Sequence, residues 1–339
     1  MLLVKFCWGY LGLFWLFQFL KLTDKGRSWW IDLFQSFTLY WFFPIIFILL
    51  IASIFRDYTL MIVSIGSASV FLYSFGYLFI PKPMFRKKSK LSISVMTYNV
   101  LESNRNVDGI AHSILSANPD VVAFQEITNN TANKLSEILS PIFPFQEFGF
   151  GIQDSSIPRN ALLSKYPFKL ANSTLEGYWK TPPQVVNIDF NDSPFCFINI
   201  HAHPTRIGTI NAKEIAQAFI IRQQQVKAII RFANQIDLPL IIAGDLNTTE
   251  QNFSYSIITN QLQDAWRSAG WGFGHTFGLR NNTFEEIRPL PISSYLPRWL
   301  LRIDYIFYSD KWTVTKAQTG KWDEVSDHRP VIANFVENS

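Results

Sequence analysis

Leu238-Pro239-Leu240-Ile241-Ile242-Ala243-Gly244-Asp245-Leu246-Asn247 is the stretch on which the fold turns. Its apolar run is short and bounded by Pro and Gly, the pattern of a strand buried on both faces. The run ends on Gly244 and opens at once onto an Asp-x-Asn turn. A second polar cluster, Ser326-Asp327-His328-Arg329-Pro330, lies just before another apolar run, Val331 to Phe335. Packing alone does not call for an acid beside a histidine, or for Asp-x-Asn after a buried strand. Together they supply carboxylates for a hard cation, an imidazole that moves a proton near neutral pH, and an amide for a phosphoryl oxygen. Metal-assisted phosphoester hydrolysis needs that set.

Outward from Gly244 the same arrangement recurs. Leu91 to Met96 alternates and predicts a strand, followed by Thr97-Tyr98-Asn99-Val100. Val107 to Ala117 has helical spacing and stops at Asn118-Pro119. Val121-Val122-Ala123-Phe124 is a short buried strand leading into Gln125-Glu126. Ala161 to Leu163 and Phe195 to Ile200 are further strands, the second leading into His201-Ala202-His203-Pro204. Gly208 to Asn234 reads as a long amphipathic helix, and Ile303 to Tyr308 as a strand carrying Asp304. Strands alternate with helices, yet some follow one another directly, which predicts α/β layers with mixed sheets. Asn99, Glu126, His201, Asp245, Asn247, Asp304, Asp327 and His328 each border an apolar run. Singly, each has a structural explanation, such as an Asx-turn at Asp245. If the strands are neighbours, their ends converge on one edge, where α/β enzymes build their sites.

Asn99, Gln125-Glu126, Gly244-Asp245-Leu246-Asn247 and Ser326-Asp327-His328 together resemble the endonuclease/exonuclease/phosphatase superfamily, the DNase I-like fold, over about residues 91–337. The resemblance implies a four-layer α/β sandwich, two packed mixed sheets flanked by helices. It also implies a divalent metal, Mg²⁺ with Mn²⁺ as the alternative. On that basis Glu126 binds the metal, with Asn99 beside it and Asp327 adding a contact. Asp245 orients or deprotonates the attacking water, and Asn247 hydrogen-bonds a phosphoryl oxygen. Asp304 holds His328, which donates to the phosphate or exchanges the proton. His201 after its strand resembles the DNase I, sphingomyelinase and phosphatase branches more than the exonuclease III branch. In DNase I that histidine pairs with an acid just before the strand matching Ala161-Leu162-Leu163. Here Pro158-Arg159-Asn160 holds no acid, which leaves Arg159 as a candidate phosphate ligand, beside the plainer reading of a solvated loop charge. Thr276, in Gly274-His275-Thr276, resembles a position that faces the site. His203 reads as a bystander in the turn before Pro204.

The first 81 of the 339 residues have a different composition. Apolar stretches from Leu2 to Leu20, Phe37 to Phe55 and Thr59 to Ile80 have bilayer length, about 20 residues each. They predict a three-helix transmembrane anchor (1–81), a basic linker (82–90) and a catalytic domain (91–339). The first stretch lacks a small-residue cleavage site, so it is expected to be a retained helix. Lys21, Lys25, Arg27, Lys82, Arg86, Lys87, Lys88 and Lys90 fall on one side, and Lys5 and Arg56 on the other. The positive-inside rule therefore places the catalytic domain in the cytoplasm. The compact three-span layout suggests a bacterial inner membrane. Cys7 and Cys196, in separate segments, do not form a disulfide framework.

Phe284 to Leu301 is rich in Pro, Leu and aromatics. Packing on the domain or on the anchor is its simplest role, and dipping into a bilayer the alternative. The net charge of +4 is mild and the basic residues are scattered, without the stripe that nucleic-acid binding usually brings. The expected function is a membrane-anchored, metal-dependent phosphodiesterase or phosphatase acting on a lipid headgroup or other membrane-proximal phosphoester. The alternatives are a membrane-tethered endonuclease or exonuclease with nucleic acid as substrate, and an inactive binding module. The last fits least, because every catalytic residue type is present.

Overall fold

The computed structural model describes residues 2–82, 92–148, 158–171, 174–205, 211–278 and 297–338. The chain begins with α1 (Leu2–Asp24) and a short α2 (Trp29–Gln35), followed by a 3₁₀ segment, Thr38–Phe42, that runs into α3 (Phe43–Phe55). α4 (Tyr58–Phe75) continues as a 3₁₀ turn to Phe79. α1, Thr38–Phe55 and Tyr58–Phe79 are long and apolar enough to cross a membrane. The hairpin between α3 and α4 is set by two residues. Arg56 turns left-handed at φ 53° and stops α3, and Asp57 caps α4 by accepting from the Leu60 amide at 3.0 Å. Leu13, Phe19, Ile54 and Tyr73 remain exposed on the outer faces of these helices, as lipid-facing residues would.

The α/β unit follows with β1 (Ile93–Asn99), α5 (Val107–Ala117), β2 (Val121–Ile127), α6 (Asn129–Leu139), β3 (Phe145–Glu147) and β4 (Arg159–Ser164). Next come β5 (Phe168–Leu170), β6 (Gln184–Phe190), β7 (Ser193–His201), α7 (Ala212–Ala233), β8 (Leu240–Asp245) and α8 (Phe253–Thr259). β9 (Gln263–Asp264), α9 (Ala265–Ala269), β10 (Asp304–Tyr308), β11 (Trp312–Thr319) and β12 (Val331–Glu337) complete it. Two six-stranded mixed sheets result, in the orders β11-β12-β1-β2-β4-β3 and β5-β6-β7-β8-β10-β9. β1 runs on to Asn99, beyond the expected end at Met96. The helix expected from Gly208 is described from Ala212, where Asn211 caps it through the Lys213 amide. Most of the basic linker and of the apolar segment from Phe284 lies outside the described residues.

Two-residue periodicity explains the layers. Val95, Val121, Ala123, Phe197, Ile241, Ala243 and Ile306 point between the sheets into one core. Their neighbours Met96, Val122 and Phe124 face α5 and α6, while Ile198, Ile242 and Phe307 face α7 and α8. Central strands buried on both faces must be apolar at every position, which is why they read as unbroken apolar runs. The observed order of helix, sheet, sheet and helix is the expected four-layer sandwich.

The N-terminal helices pack against this sandwich. The inter-sheet core continues through Trp266 and Phe273 to Phe75 and Leu78. Asn252 Nδ2 donates to the Asp32 carbonyl at 2.6 Å, Tyr77 Oη to Glu250 at 3.2 Å, and Tyr40 Oη to the Leu300 carbonyl at 2.7 Å. Lys21 Nζ donates to Gln251 at 2.7 Å. The C-terminal ends of α1 and α4 and the start of Thr38–Phe55 therefore all meet the α/β unit.

Candidate active site

The inward-facing row of each central strand is apolar until its last residue or two, and then turns polar. On β8, Ile241 and Ala243 are followed by Asp245; on β7, Phe195 and Phe197 by Asn199 and His201. On β1, Val95 is followed by Thr97 and Asn99, and on β10 the row begins with Asp304. Register brings these ends together, since His201 lies opposite Asp245 on one side of β8 and Asp304 opposite it on the other. Just beneath, Gln125 Nε2 donates to Asn199 Oδ1 at 2.8 Å, and Thr97 Oγ1 to Gln125 Oε1 at 3.2 Å. Asn199 Nδ2 donates to the Phe124 and Ala161 carbonyls, both at 3.0 Å, so the sheets are tied together below the site. Gln125 is thus a structural residue.

Glu126 breaks the alternation. By parity with Val122 and Phe124 it should face the helices. Instead its φ is 58°, and the β2–β4 register shifts between Phe124 and Ile127. This bulge turns Glu126 to the inner side, where its Oε1 accepts from Asn99 Nδ2 at 3.2 Å and lies 3.7 Å from His201 Nε2. Gly244 is required where β7 approaches β8. Its φ is 149°, and a Cβ there would sit 1.9 Å from the Ile200 carbonyl oxygen.

Asp245 lies at the centre. Its Oδ2 accepts from Asn99 Nδ2 at 3.1 Å and lies 3.7 Å from His201 Nε2 and 3.8 Å from His328 Nε2. Its Oδ1 accepts from the Asn247 amide at 2.8 Å, the Asx-turn expected from Asp-x-Asn. Burial, then the charge of Asp304, pushes the Asp245 carboxyl upward. His328 Nδ1 lies 2.8 Å from Asp304 Oδ2. Burial opposes charge on that imidazole, but Asp304 outweighs it and raises His328 well above the usual histidine range. For His201 burial prevails and lowers it. Glu126 is raised by burial but drawn down further by His201 and His328, so its net shift is downward. Asp327, 3.9 Å from His328 Nε2, is pushed up to about 6, chiefly by burial.

Asn99 turns Nδ2 to both carboxylates and Oδ1 to the Leu101 amide at 3.1 Å, so it bridges Glu126 and Asp245. Asn247 takes a left-handed φ of 51° and spends one amide hydrogen on the Ala202 carbonyl at 3.0 Å. Arg159 is not a solvated loop charge: it is buried at the start of β4, opposite Ile127 and so one residue from Glu126 in register. Thr276 is buried, and its Oγ1 accepts from the Ile303 and Asp304 amides at 3.2 and 3.3 Å. It acts on the head of β10 behind Asp304. The His203 amide donates to Gln225 Oε1 at 2.9 Å, away from the carboxylates.

Two contributors went unrecognised in the sequence. Ser326 Oγ donates to the Asn99 carbonyl at 2.7 Å and accepts from the His328 amide at 3.0 Å, pinning the Ser-Asp-His segment to β1. Asp323 holds that segment from the other side through the Ser326 amide at 3.0 Å and Asn106 Nδ2 at 2.8 Å. The only sequence signal for Ser326 was its place in the motif, and there was none for Asp323.

The donor set fits a hard divalent cation. Glu126, Asp245 and Asp327 crowd negative charge into a desolvated space, an arrangement that a cation relieves. Among the described residues, buried His201 Nε2 and Asp304 Oδ1 have no hydrogen-bond partner, so a bound species has polar atoms to satisfy. Asp245, Asp304 and His328 also offer ligand atoms within 4.8 Å of one another. His328 and Asp304 already satisfy each other at 2.8 Å, however, which leaves Glu126 and Asp327 as the better oxygen donors.

A model of the Endonuclease/Exonuclease/phosphatase family matches residues 96–328. The chain is 26% identical over 168 residues to the CCR4-Not complex 3'-5'-exoribonuclease subunit Ccr4 of Debaryomyces hansenii, covering 41% of this chain and 20% of that protein. It thus spans about a fifth of that relative's length. An endonuclease/exonuclease/phosphatase structure from Bacteroides vulgatus covers 74% of this chain and all of its own, with a TM-score of 0.54 at 20% identity. The structure of truncated TDP2 from Caenorhabditis elegans covers 72% of this chain and 98% of its own, with a TM-score of 0.53 at 17% identity. At those identities the two structures speak to the fold alone.

Proposed function

The chain belongs to the endonuclease/exonuclease/phosphatase family, a hydrolytic family, and from that premise we propose a membrane-anchored, Mg²⁺-dependent phosphodiesterase or phosphatase. Its substrate is a phosphoester at the membrane surface, a lipid headgroup above all. One observation carries the membrane-proximal part. The loop directly after Asp245 and Asn247 is bound to the anchor through Glu250–Tyr77, Gln251–Lys21 and Asn252–Asp32. A reaction centre fastened to the ends of the spanning helices works at headgroup level. The charge placement on that side supports a cytoplasmic catalytic unit, and a bacterial inner membrane is the proposed location.

In this reading Glu126 and Asp327 hold the cation. When bound, it would supply neutralisation of the charge developing on the phosphoryl group. Asn99 keeps Glu126 and Asp245 in register. Asp245, whose charged form His328 and a bound cation would favour against burial, orients the attacking water and takes its proton. Asn247 gives its remaining amide hydrogen to a phosphoryl oxygen. His328, kept charged by Asp304, donates to the phosphate or the departing oxygen, and neutral His201 donates beside it. Arg159 is a second phosphate donor behind Glu126.

Nuclease action is the second reading, favoured by the likeness to the Ccr4 exoribonuclease subunit. The test uses the full chain in detergent micelles. Phospholipid, RNA and plasmid DNA are offered in parallel with Mg²⁺, with Asp245→Asn and His328→Ala as controls. Lipid cleavage lost in both variants supports the proposal. Cleavage of nucleic acid alone would make the protein a tethered nuclease, and full activity in both variants would overturn the mechanism.

A further inference from the structure

We propose that Arg298, Trp322, Trp299 and Arg329 form a binding site, separate from the reaction centre, for the anionic phosphate of a membrane phospholipid. The Arg298 guanidinium lies 4.4 Å from the centre of the Trp322 ring, and that of Arg329 lies 5.3 Å from Trp299. The two indoles meet edge to face at 5.4 Å. The result is a ladder of cation, ring, ring and cation. Each indole holds one guanidinium by cation–π attraction while leaving its N–H donors available to an anion. The arginine ion pairs among the described residues involve Arg231 and Arg302, not these two. Arg329 donates Nε to the His275 carbonyl at 2.6 Å and is partly buried. The two guanidinium groups thus flank the paired indoles, one at each end.

The position of the ladder selects the kind of anion. His275 stacks on Phe273 at 5.3 Å, and Phe273 meets Phe79 at 5.1 Å and Phe75 at 5.8 Å, at the end of the third spanning segment. Arg329 adjoins His328 in sequence, and Trp322 Nε1 donates to the Ser326 carbonyl at 2.7 Å. The ladder therefore lies between the bilayer end of the anchor and the catalytic histidine. Tryptophan and arginine at that depth are suited to headgroups, with rings at the interface and guanidinium groups reaching the phosphate layer. Aromatic and arginine side chains also suit single-stranded nucleic acid, but a site tied to the anchor meets lipid phosphate at far higher local concentration.

The inference rests on the membrane-proximal reading above, and its test separates the two. The full chain in an uncharged detergent, with EDTA to remove cation-dependent binding at the reaction centre, is titrated calorimetrically. The probes are short-chain phosphatidic acid, inorganic phosphate and a short single-stranded oligonucleotide. Phosphatidic acid is expected to bind, and Arg298→Gln with Arg329→Gln together to weaken it by about tenfold or more. Equal binding by wild type and the double variant would overturn the proposal. So would phosphate or oligonucleotide binding as tightly as the lipid with the same arginine dependence. If the double variant unfolds, Arg298→Gln at its exposed position decides alone, with a weakening of severalfold expected. Lipid hydrolysis by the wild type alongside arginine-independent binding would sink this site and leave the proposed function standing. Absence of lipid hydrolysis alongside arginine-dependent binding would do the reverse.

Discussion

Glu126 occupies a backbone conformation that costs a side-chain-bearing residue about 1–2 kcal/mol. Glycine bears no such cost, so Glu126→Gly is expected to be more stable than Glu126→Ala by about 1 kcal/mol, although both lose metal-dependent activity. Thermal unfolding of the two variants checks the order, and the reverse order would mean that the bulge relaxes once the carboxylate is gone. The pH dependence follows from Asp327 and His328. Asp327 is raised to about 6, so as pH falls through that region protons compete with the cation and activity declines. His328 is raised by Asp304, so the charged donor is lost only as pH rises through that elevated value. Asp304→Asn removes the charge responsible. It should move the alkaline limb of kcat/KM to lower pH and reduce kcat by about 10²–10⁴-fold. An alkaline limb in the same place would assign that limb to another group. Glu126, Asp245 and His328 were legible in the sequence because each is a polar residue bordering an apolar run. The inward turn of Glu126 was not, because parity points it outward and only the register shift against β4 reverses it.

At the level of elements, β8 positions the site from both sides. It pairs in parallel with β7 and antiparallel with β10, which sets His201 and Asp304 either side of Asp245. Gly244 permits the approach of β7, and Gly244→Ala would place its Cβ 1.9 Å from the Ile200 carbonyl oxygen. The expected cost is at least about 1–3 kcal/mol, with activity reduced even in molecules that fold, because Asp245 shifts with the backbone. Unfolding midpoint and kcat measured on the same preparation check both parts. Unchanged kcat in the folded fraction would mean that Asp245 is fixed by Asn99 and Asn247 rather than by the strand. The strands themselves were readable from their apolar runs. Their order was not, since sequence periodicity reports burial and is silent about which neighbour supplies it.

For the whole molecule, the N-terminal helices are built into the α/β unit. Leu300, Leu301 and Ile303 pack with Phe37 and Tyr40, and Asn252 is bound to Asp32. A chain starting at residue 92 would expose those leucines, each at about 1.5–3 kcal/mol, and leave the Asn252 amide without its carbonyl. It is expected to unfold at a clearly lower temperature than the full chain in the same detergent, and to associate in its absence. Equal midpoints and a monomeric fragment would reduce the anchor to a tether.

The sequence by itself determined the three apolar spans, the α/β character of the remainder, and the residue types at the strand ends. Each is written in local composition and in periods of two or about 3.6 residues, which depend only on neighbours along the chain. The tertiary structure alone decided that Glu126 turns inward, that Ser326 and Asp323 pin the Ser-Asp-His segment, and that the anchor grips the loop after Asn247. These depend on cross-strand register and on hydrogen bonds between residues as far apart as Ser326 and Asn99, or Asn252 and Asp32. Such contacts exist only once the two sheets have closed on each other, so no local pattern in the chain records them.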